Sequence, residues 1–228
     1  MHKYERIREA IAAMAAEAGP GAQIPPEKEL AQRFGASTMT VRRALQILTE
    51  SGLLHGVPGK GTFVARPRVT KMTRVSNSFT EALQASGRRA GSRLISATLR
   101  PPVDEAERAF FDVGEGGFVV EVRRVRLGDD VAIGFEAAVL NAAALPQVLG
   151  HDLTGSLYEL IEQRYHLEIE RTGIIVSARL PTESEARMLE VARTAPCLQA
   201  VVTSRVAGGP NLERTVALYR GDMYELAL

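Results

Sequence analysis

Two groups of residues in this sequence have the types and spacing needed to hold anionic partners. In the first, the short hydroxyl side chains of Ser37, Thr38 and Thr40 are followed within a turn by Arg42 and Arg43. Hydroxyls of this size reach phosphate oxygens or base edges, and a guanidinium forks onto guanine or phosphate. Further on, Gly59 and Gly61 flank Lys60, so a charge sits where the backbone can come close to another surface. In the second group Arg124 and Arg126 lie two apart on an expected strand, which points both to one face and makes a candidate anion receptor. Glu136 falls on the expected partner strand, where it could accept from sugar hydroxyls or an amine. Ser156 opens an expected helix, whose free N–H groups also favour an anion. Each group has a plainer reading as well: a three-helix bundle with a capping serine, and a cross-strand salt-bridge lattice of Arg124, Arg126 and Glu136 with Ser156 merely capping.

Other chemistries find little support. His2, His55, His151 and His166 lack metal-ligand spacing, Cys197 has no evident partner, and no glycine-rich nucleotide loop follows a strand. No catalytic residue, metal or cofactor is therefore expected.

The elements that must position these residues can be read from periodicity. Tyr4, Ile7, Ile11 and Met14 recur at helical spacing up to Gly19-Pro20-Gly21. A second helix starts at Pro25-Pro26-Glu27, turns Leu30, Ala31 and Phe34 inward and stops at Gly35. A third runs from the Ser37 cap to about Glu50, with Val41, Ala44, Leu45 and Leu48 as its buried stripe. Residues 53–57 and 62–65 read as two short strands around the Pro58-Gly59-Lys60-Gly61 tip. This succession is the helix-turn-helix plan with a following hairpin, in which the later helix puts its N-terminal end into the major groove. The expected domains are 1–65, a polar, basic linker over 66–77, and 78–228. In the last, helices over 79–86, 103–111, 157–165 and 183–189 interleave with strands over 117–127, 131–140, 168–179, 198–206 and 213–220. The turns at Gly128-Asp129-Asp130 and Gly208-Gly209-Pro210 imply antiparallel hairpins, hence an α+β domain.

Charge divides along the same line. Residues 1–75 carry 12 Lys and Arg against 6 Asp and Glu, whereas residues 76–228 carry 16 against 21, although the whole chain is only +1. A basic first part suits a polyanion partner. The single cysteine excludes an intrachain disulfide framework, no apolar run approaches the ~20 residues that span a bilayer, and no apolar core follows the charges of residues 1–6. A cytoplasmic setting without membrane attachment is the expectation.

With these elements in place, the sequence resembles the GntR family of bacterial regulators over residues 4–65. The resemblance rests on Pro26-Glu27-Lys28-Glu29-Leu30-Ala31, Ser37-Thr38-Met39-Thr40-Val41-Arg42 and Gly59-Lys60-Gly61-Thr62-Phe63-Val64. It implies DNA contacts by Lys28, Ser37, Thr40, Arg42, Lys60 and Gly61, to which the helix pattern adds Thr38 and Arg43. Lys28 and Thr38 stand where many members have arginine, and neither keeps the bidentate fork. The remainder resembles the HutC subgroup, whose UTRA sensing domain is similar to a chorismate lyase fold. The supporting motifs are Ser78-Phe79-Thr80-Glu81-Ala82-Leu83, Arg123-Arg124-Val125-Arg126, Ser156-Leu157-Tyr158-Glu159-Leu160-Ile161 and Tyr219-Arg220-Gly221-Asp222-Met223-Tyr224. This implies an effector site at Ser78, Arg124, Arg126, Glu136, Ser156 and Tyr158, supported by Arg220 and Asp222. The expected protein is a ligand-responsive repressor, a homodimer on pseudo-palindromic double-stranded operator DNA. Its expected effector is a small anionic metabolite such as a sugar or amino-sugar phosphate; urocanate and phosphonate-related compounds are the effectors of other members. An enzyme of lyase-like fold and an architectural DNA-binding protein without effector are the rival readings.

Overall fold

The computed structural model describes residues 3–57, 59–65, 68–72 and 78–227. These form two compact units, residues 1–68 and 69–228. Pro58 at the expected hairpin tip, and residues 66, 67 and 73–77 of the expected linker, lie outside the described residues.

In the first unit, α1 (Lys3–Ala18) buries Ile7, Ile11 and Ala15, one residue per turn, and Gly19 ends it in the left-handed region at φ 79°. The stripe meets Val41, Ala44, Leu45 and Leu48 of α3 (Thr38–Glu50) in a single core, with Leu30 and Ala31 of α2 (Glu27–Arg33). Only four residues separate α2 from α3, and Gly35 (φ 54°) makes the turn. The expected hairpin is present as β2 (Leu54–Val57) and β3 (Gly61–Val64), antiparallel with Leu54 opposite Val64. A short strand, β1 (Gln23–Ile24), pairs with the other edge of β3 and makes a three-stranded sheet that periodicity had not indicated.

In the second unit, the first strand, β4 (Val69–Met72), lies within the expected linker. It pairs in parallel with the last strand, β11 (Tyr224–Ala227), as a separate two-stranded sheet. Between them stand α4 (Phe79–Ala85), β5 (Ala90–Arg100), α5 (Glu105–Phe111), β6 (Val119–Gly128), β7 (Val131–Asn141), α6 (Leu157–Tyr165), β8 (Ile169–Arg179), α7 (Glu183–Leu189), β9 (Cys197–Val206) and β10 (Asn211–Arg220). Six of these strands form an antiparallel sheet in the order β5-β6-β7-β10-β9-β8. Both expected tight turns join neighbours, and Asp129 and Asp130 adopt the two positive φ angles (50° and 64°) that a type I′ hairpin needs. Strand β5 was not foreseen.

Side chains alternate across this sheet, and the two faces bury different things. Val125, Phe135, Leu218 and Cys197 pack with Leu189 of α7, and Val119 and Val139 pack with Phe111 of α5. On the other face Val120, Val122, Ala138 and Leu140 pack with Leu157 and Ile161 of α6, while Ala217 and Tyr219 join Phe79, Ala82 and Leu83 of α4 and Tyr224 of β11. Between these two apolar groups the same face carries Arg124, Arg126 and Glu136, all buried.

The central strands tolerate no added bulk where they cross the aromatic stack of Tyr219 and Tyr224, whose ring centroids lie 4.0 Å apart. Gly134 sits opposite Tyr219, and a Cβ there would lie 2.6 Å from that ring and 3.2 Å from the Leu218 carbonyl oxygen. Gly134→Ala should therefore cost about 1–3 kcal/mol, as overpacking does. Urea denaturation checks this; an unchanged midpoint would mean that the ring moves aside freely.

Candidate functional site

The DNA-facing candidates gather at the start of α3 and on the hairpin of the first unit. Ser37 is the N-cap of α3, and its Oγ accepts from the Thr40 amide (3.2 Å) and lies 2.9 Å from Thr40 Oγ1. Its capping role is thus real and leaves the hydroxyl pair at the surface, exposed at Ser37 and half-buried at Thr40. Thr38 is exposed, and beside it the thioether of Met39, 68% exposed, is an apolar group the sequence reading passed over. Arg42 points outward and donates from Nε to both carboxylate oxygens of Glu27 (3.1 Å each) and from Nη2 to one of them (2.8 Å). This hydrogen-bonded pair holds the Glu27 carboxyl below the usual range, but the Arg42 side chain remains 60% exposed. An exposed pair is worth little, so its fork can be exchanged for a phosphate or a base edge. Arg43 packs its guanidinium 5.1 Å from the Tyr4 ring centroid, and Lys28 is exposed in the first turn of α2.

At the hairpin tip Gly59 and Gly61 both have positive φ, 73° and 118°. Gln23 Nε2 donates to the Lys60 carbonyl (2.9 Å), and a Cβ on Gly61 would meet that same nitrogen at 2.7 Å. Gln23, on the unforeseen β1, is therefore the residue that steadies the tip, and nothing in its local sequence marks it out.

In the second unit the arginine pair and its neighbours line one cavity of about 50 Å³. Around it stand Lys71 (β4), Ser78, Phe79 and Thr80 (the start of α4), Arg124 and Arg126 (β6), Glu136 (β7), Ser156, Leu157 and Tyr158 (the start of α6), Val202 (β9) and Glu213, Thr215, Ala217 and Tyr219 (β10). Small-molecule pockets typically run to ~300–1,000 Å³, so the enclosed space suits the anionic end of a ligand rather than a whole one.

The expected salt-bridge lattice and the expected pocket are the same place. Arg124 and Glu136 are cross-strand partners, and Arg124 donates to Glu136 Oε1 from Nε (2.8 Å) and Nη2. Its Nη1 donates to the carbonyls of Leu153 and Gly155 (2.8 Å each), which holds the loop leading into Ser156 and α6. Arg124 is thus largely spent on structure. Arg126 is less committed: Nη1 reaches Glu136 Oε1 at 3.3 Å, Nη2 reaches Thr80 Oγ1 at 3.1 Å, and the guanidinium stacks 4.6 Å from the Phe79 ring centroid. Its Nε is buried with no hydrogen-bond partner among the described residues. Burial lowers the Arg126 pKa, opposed by Glu136. Burial also works against the Glu136 charge, yet Arg124 and Arg126 outweigh it and hold the carboxyl below its usual range.

The opposite wall centres on Glu213, a buried carboxylate that the sequence reading missed. Glu213 Oε2 accepts from Tyr158 Oη (2.7 Å) and Ser204 Oγ (3.2 Å), and Oε1 accepts from Thr215 Oγ1. Tyr158 packs against this carboxylate, and burial and the carboxylate together push its hydroxyl pKa well up, so it stays protonated and donates to Glu213. Ser156 caps α6 by accepting from the Glu159 amide (3.3 Å) while lining the cavity.

Arg220 and Asp222 require correction. They do not line the cavity: Arg220 Nε and Nη2 fork onto Asp222 (3.1 and 2.7 Å) and Nη1 donates to the Ala132 carbonyl (3.3 Å). The reason is strand alternation, since Glu213, Thr215, Ala217 and Tyr219 face the cavity and Arg220 follows out of phase. That alternation is the signal that points to Glu213 and Thr215. Lys71 escaped notice because its strand fell in the expected linker. Among the described residues no cluster of His, Cys, Asp and Glu could hold a metal ion, and no helix is long and apolar enough to cross a membrane.

Two family profiles match the chain. The profile for bacterial regulatory proteins of the gntR family matches residues 3–64, and the UTRA domain profile matches residues 85–225. The HTH-type transcriptional repressor NagR of Bacillus subtilis is 32% identical, over 91% of this chain and 85% of its own length. The histidine utilization repressor of Pseudomonas aeruginosa is 33% identical, over 86% of this chain and 78% of its own. The crystal structure of PhnF from Mycobacterium smegmatis superposes with a TM-score of 0.68 at 29% identity, covering 97% of this chain and 98% of that one. These relatives are DNA-binding transcriptional repressors rather than enzymes.

Removing the negative charge between the two arginines should be costly whatever the cavity binds. Glu136→Gln leaves two buried guanidiniums without the carboxylate they both contact, and about 3–5 kcal/mol is the usual loss when one partner of a buried pair is removed. The Glu136 pKa is depressed in the fold, so its contribution is present above the ordinary carboxylate range and is lost as the pH falls through the depressed value. Urea midpoints at neutral pH and at progressively lower pH check both statements: the wild type should lose stability on acidification more steeply than the variant.

Proposed function

This chain belongs to the GntR family and carries a UTRA domain behind its helix-turn-helix unit, and from that premise we propose a cytoplasmic repressor released from its operator by a small anionic metabolite. It acts as a homodimer that presents two copies of α3 and two hairpins to a pseudo-palindromic site. Effector binding favours an arrangement with the wrong half-site spacing, so its differential affinity for the two states drives release. The effector class favoured is a sugar or amino-sugar phosphate.

The observation that carries this reading is Arg126, a buried guanidinium lining the cavity with one nitrogen that has no hydrogen-bond partner among the described residues. A buried donor left without a partner costs ~1–3 kcal/mol, which an acceptor entering the cavity would recover. An anion entering beside Ser156 would meet it. Across the cavity, Glu213 supplies a carboxylate for hydroxyls or an amine, which suits a ligand with an anionic end and a polar end. At the other unit, Lys28, Ser37, Thr38, Thr40, Arg42, Arg43, Lys60 and Gly61 form the DNA face.

A thermal-shift screen against sugar phosphates, urocanate and phosphonates identifies the effector class, since binding to the native state raises its melting temperature by mass action. Arg126→Met should then abolish operator release by the identified ligand in a gel-shift titration while leaving operator affinity unchanged. Normal release by a folded Arg126→Met protein would remove Arg126 from the site. For the DNA face, Arg42→Ala should weaken operator binding by roughly tenfold or more, since a bidentate contact is worth about 1–3 kcal/mol. Unchanged affinity would displace α3 from its reading role.

A further inference from the structure

Lys71 is a buried lysine that the effector reading so far has not used. It lies on β4 opposite Leu226 of β11, is only 7% exposed, and lines the same cavity as Arg126 and Ser156. The charges of that cavity explain what it is for. Arg124 and Arg126 on β6 are matched in number by Glu136 on β7 and Glu213 on β10, all four buried. Without a charge on Lys71 the lining is formally neutral; with it, the lining carries one net positive charge.

We infer that Lys71 is the residue that makes this cavity selective for an anion, its charge tipping the lining from neutral to positive. The inference rests on the anion-binding reading of the cavity. It also places a ligand contact on the first strand of the second unit, directly after the boundary with the first.

The groups facing Lys71 set the direction of the coupling. Burial, with Arg171 of β8 adding to it, pushes the Lys71 ammonium down to about 8, against the opposing pull of Glu213, Glu136 and Glu81 of α4. Arg124, Arg126, Tyr158 and Tyr219 complete the titratable lining. Between pH 8 and the ordinary lysine range the empty site is therefore neutral at Lys71 and the unfolded chain protonated, so the lysine itself favours the folded state increasingly as pH rises through this window. An adjacent anion reverses the preference and restores the ammonium. Affinity should accordingly fall by roughly tenfold per pH unit above pH 8.

The test is calorimetric titration of the full chain with glucose 6-phosphate and, separately, inorganic sulfate, at pH 7.5 and 9.5. A phosphate monoester has its second pKa near roughly 6, and sulfate does not titrate here, so neither ligand changes charge in this range. For the wild type, affinity should drop at least tenfold at pH 9.5. Lys71→Met should bind at least tenfold more weakly at pH 7.5 and lose the pH dependence, whereas Lys71→Arg should bind alike at both pH values. A wild type and a folded Lys71→Met protein with equal affinities would overturn the role of Lys71 and leave the anion site standing. Failure of the wild type to bind either anion at both pH values would overturn the anion reading and Lys71 with it.

Should Lys71→Met not fold, the wild type decides alone. The chain has only four lysines, Lys3, Lys28, Lys60 and Lys71, so carbon-13 labelling at Cε gives a simple spectrum. One lysine should titrate near 8 and move upward when sulfate is added. If no lysine moves, the inference fails.

Discussion

The second unit is organised around one arrangement, a buried Glu136 shared by Arg124 and Arg126. Three charges at the middle of a sheet face are costly to desolvate, and they are tolerated only where pairing and hydrogen bonds are nearly complete. Arg124 meets that demand by reaching past Glu136 to the Leu153 and Gly155 carbonyls, and so fixes the entry to α6. Arg126 meets it by lying on Phe79 and reaching Thr80, and so fixes the start of α4. The triad thereby connects both helix starts that border the cavity. A ligand that competes for Arg126 must disturb its contacts with Thr80 and Glu136.

This puts a structural lattice and the proposed binding site in the same side chains. Removing one partner destabilises the fold, yet the remaining donor capacity of Arg126 is what a ligand can use. The first unit shows a similar economy: Arg42 is held in an exposed pair with Glu27 that costs little to break, and the hairpin tip is steadied through a backbone carbonyl, away from the Lys60 amine.

What was legible in the sequence was what local physics determines. Helices α1, α2 and α3 follow from apolar spacing, from Ser37 as a cap and from Gly19 and Gly35 as stops, and all of these act within a few residues. The antiparallel hairpins followed from turn residues that accept positive φ. By contrast, β4 and β11 are four residues each and are joined by parallel pairing across nearly the whole second unit, so no local pattern announces them. Strand β5 is an edge strand whose Leu94, Ile95 and Leu99 are exposed, which blurs the alternation that would have revealed it. The site divided in the same way. Arg124, Arg126 and Glu136 were readable from two-residue spacing and strand pairing, whereas Arg220 was misplaced because a motif does not state which face a strand residue occupies. Lys71 and Glu213 become site residues only once distant strands are brought together.

The claim that this charged cavity receives a tetrahedral dianion can be tested directly with tungstate, a heavy-atom analogue of sulfate and phosphate. An anomalous difference map from crystals of the full chain grown with tungstate should show a tungsten peak roughly 4 Å from Arg126 Nε, which leaves one of its oxygens at hydrogen-bonding distance. Peaks confined to the protein surface, with the cavity empty at saturating tungstate, would contradict the account.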